Sequence, residues 1–249
     1  IAYYEVPSPY TELFFKSTFQ QGQNLDATLA INTSPKFNVA VSFKGFRSLG
    51  KYRAALSRAR QFRISTQYQT YNKRYRMRLH QTTQSLENEV NGGLRNDGVY
   101  FFENAPNYVS ADEAGNPILD ENGNEQIVFY DGFLDRNRLP TQIEANNTLE
   151  GKRYFMEHRY QMHKSVKDTS AYKLSVGLRT SFENKTYLYS QDRINNYFYD
   201  VYDNTSINDS ILFNSLENNF FLSFKDKTFG KLNLDLYHHN WNYSIEPNE

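Results

Sequence analysis

Arg74, Arg76 and Arg78 occupy every second position of one short run, with Tyr75, Met77 and Leu79 between them and after them. In a β-strand successive side chains point to opposite faces, so the three cations share one face at a spacing of about 6.6 Å. Such a ladder repels itself unless it is partnered, and either an acidic neighbouring strand or an anion would partner it. The same alternation collects Lys16, Lys44, Arg63, Arg153, Arg159, Lys173, Arg179 and Lys225 on the polar face of their own runs. It also places Glu12, Asp26, Glu157, Glu183, Glu217 and Asp235 there. A face so charged cannot be the core of a soluble protein, because buried unpaired charge is too costly. It is predicted to face water as a pore lining. Each charge can cross-link the wall, and the excess of cations can favour anionic solutes, since rings of Arg or Lys select anions.

The elements that carry these residues read as amphipathic strands. Leu25, Ala27, Leu29 and Ile31 alternate with Asp26, Thr28, Ala30 and Asn32. After Ser34-Pro35-Lys36 the chain returns through Phe37, Val39, Val41 and Phe43, which alternate with Asn38, Ala40, Ser42 and Lys44. Each arm is long for a soluble strand and suits one that crosses a bilayer at a tilt. Further runs of this type are predicted over 11–19, 62–70, 74–80, 153–162, 172–182, 220–224 and 232–236. Long connections at about 45–60, 84–151 and 183–214 alternate with short ones, as extracellular loops alternate with periplasmic turns in outer-membrane barrels. Residues 1–6 read as the tail of an earlier strand, closed by Pro7-Ser8-Pro9. The predicted fold is an antiparallel transmembrane β-barrel of about 9–10 strands, incomplete within this chain.

Composition agrees. A mean hydropathy of -0.76 coexists with 20 Tyr and 19 Phe, as expected for a polar lumen with aromatic girdles. The formal charge of +0 gives no footprint for nucleic acid. The absence of cysteine excludes disulfides and thiol catalysis within the chain. No run of about 18 apolar residues could form a membrane-spanning helix. The chain starts at Ile1 without a basic, then apolar, leader, so a signal peptide is expected to have been removed or not included. Among His80, His158, His163, His238 and His239 no metal-binding spacing occurs. Adjacent His238 and His239 point to opposite faces. The segment from Asp120 to Asn124 looks like a calcium loop, but Glu125 and Asp131 stand where the pattern needs Gly and Glu, so a plain turn around Asn122-Gly123 is expected. No nucleophile elbow, Walker or dinucleotide motif is present. No cofactor and no enzymatic activity are expected.

The stretches SPYTELFFKSTFQQGQNLDATLAINTSPKFNVAVSFKGFRSLGKY, NKRYRMRLHQTTQSLENEVNGG and LEGKRYFMEHRYQM resemble the porins of Bacteroidota outer membranes. The resemblance runs from Pro7 to about Arg179, and TELFFKSTFQQGQNLDA followed by FKGFRSLGKY is its most specific part. It implies a TonB-independent barrel larger than this chain, with a channel role. The expected place is the cell outer membrane, in contact with lipid and lipopolysaccharide. The expected cargo is small hydrophilic, and by charge anionic, solutes. The alternative is an occluded barrel that docks or assembles other outer-membrane or surface proteins. The long 84–151 excursion favours it; the loop aromatics Phe101, Tyr197 and Tyr199 are expected either to pack the loops inward as a plug, the preferred reading, or to present a surface to a partner protein or glycan.

Overall fold

The structure, a computed structural model, describes residues 2–18, 22–104, 108–109, 116–128, 139–163, 172–192, 206–226 and 230–246. Nine strands form one antiparallel sheet in which every strand pairs with its neighbours in the chain. They are β1 (Tyr10–Thr18), β2 (Gly22–Ser34), β3 (Phe37–Ser48), β4 (Ser57–Gln69), β5 (Tyr75–Val90), β8 (Ala145–His163), β9 (Tyr172–Gln191), β10 (Ile207–Asp226) and β11 (Gly230–Glu246). The excursion between β5 and β8 carries a helix, α1 (Asn96–Asn104), and a two-stranded pair, β6 (Tyr108–Val109) and β7 (Ile127–Val128). Among the described residues, β1 and β11 are the sheet's two edges, and the outer side of each is unpaired.

The register carries the predicted alternation across the whole sheet. Leu29, Val41 and Ile64 stand directly opposite one another on β2, β3 and β4. Leu178, Phe220 and Leu236 do so on β9, β10 and β11. This apolar face is the exposed one: Leu13, Phe15, Phe62, Leu178, Phe220 and Leu234 are all open to the surroundings. The buried set lies largely on the opposite face and is mostly polar, including Thr28, Asn38, Ser42, Ser65, Gln67, His80, Thr82, Glu157 and Asn219. Water-soluble folds bury the apolar face, so this sheet is inverted with respect to them.

The apolar band has a limited height. From Phe37 to Gly45 on β3, eight residue steps cover about 27 Å along the strand, or about 20 Å of height at a 45° tilt. That is close to the ~25 Å apolar band of outer-membrane barrels. Above it the same face becomes charged. Arg58 and Arg60 on β4 flank Glu87 on β5, with Nη–Oε distances of 3.3 and 2.8 Å. On the band itself the His158 imidazole is satisfied in place by the Tyr75 hydroxyl at 2.6 Å.

Strands reach further into the long connections than their hydropathy indicates. The segments expected as loops at 45–60, 84–151 and 183–214 shrink to 49–56, 91–144 and 192–206. Beyond the band both faces meet water, so the apolar signature of a strand disappears while backbone pairing continues. Side chains sustain it there: Asn184 Nδ2 donates to Asn214 Oδ1 at 2.6 Å. At the opposite end the connections 35–36, 70–74, 164–171 and 227–229 are short, as expected. The 19–21 connection is short although it lies at the long-loop end. Residues 19–21, 164–171 and 227–229, and the aromatics Tyr197, Phe198 and Tyr199, lie outside the described residues.

Residues 2–9 differ from the expected strand tail. Pro7 and Pro9 cannot donate to a ladder, and the segment lies over the polar face of β3–β5. The Tyr3 hydroxyl bonds His80 Nδ1 at 2.7 Å, and the Val6 N–H donates to Asn38 Oδ1 at 3.2 Å. Burial pushes the Tyr3 hydroxyl up to about 12, so it stays protonated. In the excursion, Asn122-Gly123 forms the tip of a tight turn, with Gly123 at φ 80. Asp120 Oδ1 accepts the N–H groups of Asn122 and Asn124 at 2.8 and 2.9 Å. Its carboxylate is thus committed to the backbone, as a plain turn requires.

Two predictions belong here. Asp120 is held below the usual carboxylate range by the backbone N–H groups of Asn124 and Asn122. Its contribution is therefore complete above the ordinary Asp pKa of about 3.9 and lost as pH falls through the lower folded value. Amide hydrogen exchange at Asn122 and Asn124, corrected for its intrinsic pH dependence, will show protection vanishing only in that acidic window. At Gly177 on β9, a Cβ would lie 2.2 Å from Phe221 Cζ and 2.4 Å from the His158 carbonyl oxygen. The backbone atom cannot give way, so Gly177→Ala will destabilise the sheet by ~1–3 kcal/mol. Denaturant unfolding in detergent micelles measures it.

Candidate channel wall

The polar face is built of cross-strand rows, because register fixes which side chains stand opposite. One row runs over six strands: Gln67, Arg78, Glu157, Arg179, Asn219 and Tyr237. Opposite charges face each other in it, the favourable arrangement on a sheet. Arg78 Nε donates to Gln67 at 3.1 Å, Arg179 Nε to Glu157 at 2.9 Å and Arg179 Nη1 to Asn219 at 3.0 Å. Asn219 in turn donates to Asp235 at 3.2 Å. Glu157 is 8% exposed and also reaches Arg76 at 3.8 Å and Arg78 at 4.0 Å. It is the hub of the wall, with the Arg179 contact by far the tightest.

A second group sits nearer the long-loop end. Arg153 pairs with Glu183 at 3.2 Å, and Lys185 meets the other oxygen of Glu183 at 2.7 Å. With Arg63, Gln61, Thr82 and Gln84 they border a recess of about 330 Å³. Near the β1 edge, Lys44 pairs with Asp26 at 2.5 Å, while Glu12 accepts the Tyr10 hydroxyl at 2.9 Å. Lys16, on β1, shares this face opposite Asn24.

At the short-turn end the pattern changes. Arg76 stands directly opposite Arg159, and Lys173, Lys225 and Lys231 form a row of three facing lysines. With Lys73 and Arg74 they line a recess of about 290 Å³. Arg74 is therefore not the first rung of a strand ladder, as the alternation suggested: it lies in the 70–74 turn, where its carbonyl accepts the Gln161 N–H at 2.7 Å. The turn bends it to the rim beside the other cations.

Of the sequence-derived set, Arg76, Arg78, Glu157 and Arg179 come together, as do Lys44 with Asp26. Arg74, Arg76, Arg159 and Lys173 meet at the rim, while Glu12 and Lys16 stay near the β1 edge. Sequence reading omitted Lys231 and Lys185, although each immediately precedes or continues an alternating run. It also omitted Tyr3, which no periodicity marks. Among the described residues no group of three or more His, Asp or Glu is placed to hold a metal.

No curated protein and no solved structure matches the chain. A family model described as Putative porin matches residues 1–249, its whole length. With a meander of paired strands, an outward apolar band and a charged inner face already in place, the chain belongs to this porin family.

Proposed function

We propose that the sheet is the wall of an outer-membrane channel that passes small hydrophilic solutes by diffusion and prefers anions. The observation that carries this reading is the inversion of the sheet: charged and amide side chains fill its sheltered face, while leucines and phenylalanines stand exposed in a band of membrane height. Hydrocarbon suits the one face and water the other. The preference for anions follows from the uneven distribution of charge. The mid-wall acids are spent on neighbouring cations, whereas Lys73, Arg74, Lys173, Lys225 and Lys231 have no ion-pair partner among the described residues.

The protein reconstituted in planar bilayers, under a potassium chloride gradient, will give a reversal potential on the chloride side. A cation-selective current would overturn the charge reading. Absence of any current from folded, inserted protein would overturn the channel. It would favour instead an occluded barrel that docks partners through its excursion, where α1 leaves Tyr100, Phe101 and Phe102 exposed.

A further inference from the structure

The recess at the short-turn end differs from the middle of the wall, where opposite charges face each other. Like charges directly opposite on neighbouring strands destabilise a sheet. In the middle of the wall several cations stand directly opposite an acid, as at Asp26–Lys44, Arg153–Glu183 and Glu157–Arg179. In the recess, Lys173, Lys225 and Lys231 face one another across three strands, with Arg76 opposite Arg159 beside them. Lys73 and Arg74 close the rim from the turn. Among the described residues that line it there is no carboxylate; the neutral ones are Gln69, Gln161, Ser175 and Ser223. Glu157, two residues along β8 from Arg159, is bound to Arg179 at 2.9 Å and approaches Arg76 only to 3.8 Å.

We propose that this recess is a saturable site for a small, multiply charged phosphate-bearing solute. Guanidinium forks and ammonium points both bind phosphate oxygens well. A compact polyanion carries enough charge to answer several facing cations together. The size agrees: about 290 Å³ lies at the lower end of ligand pockets, which suits one or two phosphate groups. Because the recess opens on the polar face, a soluble anion reaches it and a lipid headgroup on the apolar face does not. In barrels of this kind the short-turn end faces the periplasm, so a solute that has crossed the wall would be held there before release. The inference rests on the reading of the polar face as the water-filled side.

The test separates the two. Pyrophosphate binding to the full chain, folded in detergent micelles, is measured by calorimetry, which needs no conduction. Conductance and pyrophosphate block are measured in bilayers. Saturable binding is expected, weakened at least about tenfold in Lys173→Gln/Lys225→Gln/Lys231→Gln, because three charge-assisted contacts are removed. The Lys→Arg triple variant, which keeps the charge, should bind within about threefold of the natural protein. Binding without conductance would uphold the site and discard the channel. Conductance with no saturable pyrophosphate binding, or equal binding by the folded Gln variant, would overturn the site and leave the channel standing. Loss of binding in a folded Arg variant would equally overturn recognition by charge.

Discussion

Leu178→Arg will destabilise the protein in lipid vesicles by about 2–4 kcal/mol, whereas Leu188→Arg on the same strand will cost about 0–1 kcal/mol. The two leucines are a matched pair: both lie on β9, both point to the same face, and both are 41% exposed. Leu178 sits between His158 and Phe220 in the middle of the apolar band, while Leu188 stands opposite Ser210, ten positions up the strand. In water the two arginines would be equally harmless, since each replaces a surface leucine. In a bilayer only the first must desolvate its guanidinium or thin the lipid around it. Equilibrium unfolding in vesicles reads the difference. Equal small effects would mean that the band never contacts hydrocarbon.

Glu157→Gln will produce the largest effect on the polar face, a loss of about 2–3 kcal/mol. Removing one partner of a buried ion pair strands the other, and here three guanidiniums converge on one carboxylate. The figure falls below that of a fully enclosed pair because the Arg179 side chain remains 39% exposed and water screens it. The variant also removes one negative charge from the wall, so its reversal potential will move toward chloride. A double-mutant cycle with Arg179→Gln should recover part of the loss, because the two residues are in direct contact. An additive cycle would remove Glu157 from its role as hub.

The band was legible in the sequence because hydrocarbon favours apolar side chains at every second residue, as at Val39, Val41 and Phe43. That preference applies only at membrane depth. Gln84, Ser85, Glu87 and Asn88 on β5 carry no such pattern, yet they stay in register with β4 and β8. Strand ends there are set by partners, which one sequence does not display. The same limit governs the wall. Alternation placed Arg78, Glu157 and Arg179 on one face, but only register reveals that they stand opposite one another while Lys173, Lys225 and Lys231 meet without an acid. Arg74 was misread as a strand residue because its spacing continues the run into the turn, where the backbone no longer alternates. Tyr3 was invisible for another reason: a single side chain laid over the sheet leaves no repeat to detect.

β9 and β10 each run for 20 residues, far more than the apolar band needs. Their upper halves form a rigid collar of hydrogen-bonded backbone, and a protease bound to such backbone would first have to peel it free. On intact cells, therefore, limited proteolysis should spare the 184–191 and 207–214 segments.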